Sequence, residues 1–121
     1  MNIFVFGSNL AGRHGKGAAL EALKNHGAIY GQGYGFQGQS FAIPTKDEDL
    51  KTLFLSEIQA FVHTFIMFTH RHPELVFLIT PIGCGLAGYT PKQIAPMFQT
   101  IQHQKNISLP QSFIQTYACT N

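Results

Sequence analysis

The chain has 121 residues, 45% of them apolar and 12% charged, with a formal net charge of +2. That length holds one domain with a real core, and so weak a positive balance argues against bulk electrostatic binding to nucleic acid or to a membrane surface. The longest apolar stretch falls far short of the ~20 residues that span a bilayer. No leader pattern opens the chain, and the 2 cysteines, Cys84 and Cys119, form no C-x-x-C pair. The expectation is a single-domain cytoplasmic protein with reduced thiols and no membrane partner.

Asn2 to Phe6 reads as a strand, and its unbroken apolar run predicts cover on both faces. Gly7-Ser8-Asn9-Leu10-Ala11-Gly12-Arg13-His14-Gly15-Lys16-Gly17 follows. Ala18 to about His26 then reads as helix, with Gly27 placed as its left-handed stop and Lys24 favourable in the last turn. Strand, glycine loop and helix in that order point backbone N–H groups at an anion, usually phosphate.

From Ala28 to Ser40, glycines alternate with Tyr30, Tyr34 and Phe36. Gly33 to Gly38 matches G-x-G-x-x-G in form, but Phe41-Ala42-Ile43-Pro44 looks like a strand where the dinucleotide fingerprint opens a helix. A bent hairpin or close-packed ribbon fits better. Thr45-Lys46-Asp47 closes that strand. Leu50 to His70 reads as a long, largely buried helix, its apolar side widened by Leu53, Phe54, Phe61 and Ile66 beside Leu55, Ile58, Val62 and Phe65. The aromatic stripe on it is core.

Pro73 breaks the chain, Leu75 to Ile79 reads as a second buried strand, and Thr80 to Tyr89 is a second glycine-rich loop. Thr90-Pro91-Lys92-Gln93 opens a helix with an N-cap, a proline at the first position and a capping box, and Pro96 predicts a kink. Ile107 to Leu109 and Phe113 to Tyr117 read as a final strand. The whole is an α/β sheet with both glycine loops at the carboxyl ends of their strands, where such folds place a ligand.

Several sites are weighed residue by residue. A Walker loop is excluded because Arg13-His14 stands where Lys-Ser/Thr is required. His70-x-His72 is the one histidine pair with metal spacing, and it reads as solvated surface instead of a zinc site. Cys84 occupies a position open to a nucleophile, or it packs as a small residue under its loop. Lys46 ends a strand near the phosphate loops, where it either pairs with phosphate and attacks an anomeric carbon or is a solvated loop lysine. The Asn9 amide either reads a ribose diol or shapes its loop as an Asx turn.

Gly15-Lys16-Gly17-Ala18-Ala19, Phe41-Ala42-Ile43-Pro44-Thr45-Lys46 and Pro81-Ile82-Gly83-Cys84-Gly85-Leu86-Ala87-Gly88, in that order, resemble three motifs of the macro domain family. The branch they look like includes the terminal ADP-ribose protein glycohydrolases and the DNA ADP-ribosyl glycohydrolase antitoxins. The stretch from Val5 to Gly15 also looks like small proteins of phage and bacterial genomes. Two departures stand out. Ala87 occupies the place where the protein-directed enzymes carry an acid, and the residues ahead of the first loop hold no adenine-reading aspartate.

The resemblance implies a minimal macro-like α/β domain of three layers with a mixed central sheet. It implies binding of ADP-ribose or a related nucleotide, with ADP-ribosylated DNA or protein as further partners and no cofactor or metal. Backbone groups of Ile82, Gly83, Cys84, Gly85, Leu86, Ala87 and Gly88 would hold the diphosphate at the start of the following helix. Gly15, Lys16, Gly17 and Ala18 would cover the other side, Asn9 the distal ribose, and Phe6 or Tyr89 would flank a ring. Lys46 would be the catalytic residue of a hydrolase that acts on an ADP-ribosyl adduct. The alternatives are a non-catalytic sponge, such as a phage counter-defence protein that sequesters an ADP-ribose-derived signal, and an interaction module whose glycine loops are only structural.

Overall fold

The computed structural model of the chain describes residues 1–118, so Cys119 lies outside the described residues. The elements are β1 (Asn2–Asn9), α1 (Gly17–Asn25), β2 (Gly35–Gln37), β3 (Ser40–Lys46), α2 (Leu55–Arg71), β4 (Val76–Ile79), α3 (Pro91–Ile94), a 3₁₀ helix (Ala95–Ile101), β5 (Ile107–Ser108) and α4 (Gln111–Ala118). They form a mixed five-stranded sheet in the order β2-β3-β1-β4-β5. β1 runs parallel to β3 and β4, β4 parallel to β5, and β2 antiparallel to β3. Helices on both faces make this a three-layer α/β fold.

Alternation along β1 sorts its side chains between two cores. Ile3 and Val5 join Phe41, Ile43, Phe77 and Ile79 on one face, under Ile58, Val62 and Phe65 of α2, Phe98 of the 3₁₀ helix and Phe113 of α4. Phe6 and Ala42 lie on the other face against Ala19 and Ala22 of α1. The small residues of α1 let that helix sit close to the strands. The phenylalanines interlock edge to face, with Phe41 and Phe65 centroids 5.0 Å apart and Phe65 and Phe77 5.6 Å apart.

α1 ends as expected, with Gly27 at φ +73 just past its cap. The ribbon after it is a close-packed one that turns into the β2–β3 hairpin. The α3 start also has the expected form, the Thr90 N–H donating to Gln93 Oε1 at 2.9 Å. The helix changes to 3₁₀ at Ala95–Ile101, around Pro96, whose ring removes an α-helical donor.

Three expectations are corrected. α2 begins at Leu55 and not at Leu50, because the Asp47 carboxylate accepts the N–H groups of Asp49 and Lys51, each at 2.9 Å, and fixes a turn there. Phe54 is accordingly 75% exposed ahead of the helix. β4 is buried on one face only: α1 packs on β1, and Val76 and Leu78 are left 38% exposed. Phe113 to Tyr117 is helix, not strand, because Phe113 and Tyr117, four residues apart, both turn into the core. Among the described residues, no helix is long and apolar enough to cross a membrane.

Candidate functional site

The three parallel strands β1, β3 and β4 end on the same edge of the sheet, and a cavity of about 570 Å³ opens there. Its wall combines Gly7 to Asn9, Gly15 to Ala19, Thr45-Lys46, Thr80 to Gly83 and Gly85 to Ala87. Segments far apart in the chain thus meet because parallel pairing aligns their carboxyl ends, with Asn9 beside Lys46 in register. The Leu10 N–H donates to the Lys46 carbonyl at 2.9 Å and locks the two strand ends together.

The wall is cationic. Arg13, Lys16 and Lys46 line it, and among the described residues no Asp or Glu does. Lys46 is half-buried, and among the described residues it has no carboxylate partner. Two sets of backbone donors add to this charge. On the first side, the N–H groups from Gly15 to Ala19 have no acceptor among the described residues, and α1 starts at Gly17 with no side-chain cap and no acid in its first turn. On the second side, the N–H groups of Gly83, Gly85, Leu86 and Ala87 are likewise without an acceptor among the described residues. A helix start with open N–H groups and a row of loop amides are each suited to an anion.

The second loop keeps its shape through bonds behind the wall. Thr52 Oγ1 donates to the Ala87 carbonyl at 3.1 Å, and the Tyr89 hydroxyl donates to the Leu53 carbonyl at 2.5 Å. The first loop is held by the glycine–aromatic ribbon. The Gly31 N–H donates to the Gly12 carbonyl at 2.8 Å, the Ser8 hydroxyl donates to the Gly33 carbonyl, and His14 Nε2 lies 3.1 Å from the Gln32 carbonyl. Because a carbonyl only accepts, that histidine carries its proton on Nε2.

Four expected ligand contacts are not on the wall. Phe6 is fully buried against α1, edge-on to His14 at 5.2 Å, so it flanks no ligand ring. Tyr89 is drawn away by Leu53, and Gly88 closes the loop by donating to the Gly85 carbonyl at 3.0 Å. Cys84 packs against the main core and its thiol donates to the Ile82 carbonyl at 3.5 Å; burial pushes the thiol up, away from thiolate character. Nor does the helix after the second loop supply donors: the Thr90 N–H at its start is taken by Gln93, and the open helix start at the cavity belongs to α1.

Asn9 lines the cavity, but its amide is engaged in the loop. Its Oδ1 accepts the Arg13 N–H and its Nδ2 donates to the Arg13 carbonyl, both at 2.9 Å. Each end keeps one further valence for a ligand. His72 pairs with Glu74 at 3.0 Å, which holds that carboxyl below its usual range, and stacks on Phe68 at 4.3 Å. Tyr30, from the glycine–aromatic ribbon that the sequence left open between a pocket wall and a subunit contact, lines the wall, and Arg13, Leu50 and Thr80 are wall residues the sequence did not single out. Only Arg13, a cation inside a glycine loop, carried a local signal. Comparison with protein-family models, curated proteins and solved structures finds no match.

Proposed function

We propose that the chain binds ADP-ribose or a related ADP-ribosyl nucleotide in this cavity. One observation carries the proposal: two rows of open backbone N–H groups and three cations converge on one cavity whose wall holds no carboxylate. A diphosphate bridged between the α1 start and the amides of Gly83, Gly85, Leu86 and Ala87 would receive donors from both sides. The volume of about 570 Å³ lies within the ~300–1,000 Å³ typical of small-ligand sites. Lys16 and Arg13 would neutralise phosphate, Lys46 would reach the distal part of the ligand, and Asn9 would offer its remaining valences to a ribose.

Hydrolysis of an ADP-ribosyl adduct is the second reading, favoured by the position of Lys46 at a strand end with no carboxylate to hold it. In that reading its amine attacks the anomeric carbon, or stabilises the charge there, as the bond to the modified base or side chain breaks; that leaving group takes up a proton, and water adds to the anomeric carbon to release ADP-ribose and restore the amine. The other titratable groups on the wall are Arg13, Lys16 and Tyr30. With no carboxylate or histidine among them to take a proton from the water, binding ranks above turnover.

Titration with ADP-ribose tests the proposal. Micromolar binding is expected in the wild type, weakened about tenfold in Lys46→Ala, since hydrogen bonds to charged groups contribute about 1.5–3 kcal/mol. Failure of the wild type to bind contradicts it. Incubation with ADP-ribosylated DNA or protein separates the two readings. Product that Lys46→Ala abolishes more completely than it abolishes binding marks a hydrolase, and tight binding without product marks a sponge.

A further inference from the structure

We infer that the cavity carries an apolar platform, made of Tyr30, Leu50 and Leu86, that holds a nucleobase by its faces without reading its edge. The site would therefore accept nucleoside diphosphate compounds of more than one base. This deepens the nucleotide reading of the cavity and rests on it.

The three residues line the same cavity as the cations, and they are exposed by 63%, 41% and 68%. Large apolar groups left in water on a cavity wall are suited to an apolar or aromatic part of a ligand. Each stands on a backbone pinned on both sides. Next to Tyr30, the Ile29 N–H donates to Gln37 Oε1 at 2.8 Å and the Gly31 N–H to the Gly12 carbonyl at 2.8 Å. Around Leu86, Gly88 is bonded to Gly85 at 3.0 Å and the Ala87 carbonyl is held by Thr52 at 3.1 Å.

Leu50 is the most telling of the three. Among the described residues it is the one non-glycine with positive φ, at 63, a conformation that side chains disfavour. The Asp47 turn enforces it: the Leu50 N–H donates to the Asp47 carbonyl at 3.1 Å, and Asp47 Oδ1 accepts the Lys51 N–H at 2.9 Å. Glycine would suit this turn better, yet the residue is a leucine, 41% exposed and lining the cavity. Backbone strain that places a side chain on a cavity wall is a pointer to ligand contact.

Edge reading needs uncommitted polar side chains, and here they are mostly spent. The hydroxyl protons of Ser8, Thr45 and Thr80 go to the carbonyls of Gly33, Ser8 and Val5, and Asn9, half engaged with Arg13, has only the valences that the nucleotide reading gives to a ribose. Stacking on an aromatic ring tolerates any base, because every base has a π-face.

The test titrates ADP, GDP, ADP-ribose and inorganic pyrophosphate into the wild type, Tyr30→Ala and Leu50→Gly. In the wild type, ADP and GDP are expected to bind within tenfold of each other, and pyrophosphate at least tenfold more weakly than either. Each variant should weaken ADP about tenfold and leave pyrophosphate unchanged. Leu50→Gly should keep the wild-type melting temperature, because glycine accepts the φ of that position. ADP favoured over GDP by more than tenfold would overturn the inference, as would variants that bind ADP like the wild type. A wild type that binds pyrophosphate as well as ADP removes the platform alone, whereas one that binds none of the four probes removes the nucleotide reading with it.

Discussion

Gly33 and Gly85 are both loop glycines, and they answer to different demands. A methyl group at Gly33 would overlap the Asn9 carbonyl oxygen and come within 2.9 Å of the Leu10 backbone. Gly33 is glycine because the ribbon packs backbone to backbone against the first loop. A methyl group at Gly85 meets nothing within 4 Å, so its smallness serves the space in front of the loop and not the fold. Gly33→Ala should therefore destabilise the protein by about 2 kcal/mol or more, and Gly85→Ala should leave the urea midpoint unchanged while weakening ligand binding. Equal midpoints for the two variants would contradict this division. The open amides of both loops and the place of Lys46 were readable from sequence because each belongs to a local pattern. The burial of Phe6 and the capture of Tyr89 by Leu53 were not, since tertiary neighbours decide which way a side chain faces.

At the scale of elements, an apolar pattern was overruled in each misread stretch by a neighbour the pattern does not show. Phe113 and Tyr117 fit the alternation of a strand end and the i, i+4 spacing of a helix equally well, and the surrounding core decides for the helix. Leu50 to Phe54 continues the apolar pattern of α2, yet the Asp47 carboxylate captures that backbone first. α4 is tied to the 3₁₀ helix by the Tyr117 hydroxyl, which donates to the Ala95 carbonyl at 2.6 Å. Burial pushes the Tyr117 phenol up from 10.0 to about 12. The unfolded chain loses that proton near pH 10 while the folded one keeps it, so this contribution to stability is complete below pH 10 and lost as pH rises through about 12. Urea midpoints measured from pH 9 to 12 should fall more steeply in the wild type than in Tyr117→Phe. Parallel curves would mean that the phenol does not report on folding.

At the scale of the whole molecule, the sheet order explains why so small a chain has a site at all. Placing β1 between β3 and β4, all parallel, brings two glycine loops and Lys46 to one edge from positions up to 80 residues apart in the chain. The alternation of strands, glycine loops and helices predicted the α/β class, and it placed both loops at carboxyl ends. It did not give the strand order, which depends on long-range pairing, or the bare outer face of β4, which depends on where α1 lies. The proposed ligand class rests on the charge and the open donors of the cavity. The measurement to make first is isothermal titration of ADP-ribose into the wild type and into Gly85→Glu. Gly85 faces open space, so the substituted carboxylate enters the cavity without disturbing the core, and it would repel a diphosphate. Micromolar binding that disappears in a folded Gly85→Glu protein is the expected result. Binding of equal strength in both proteins would contradict the placement of the diphosphate on the second loop, and no binding in the wild type would contradict the ADP-ribose reading itself.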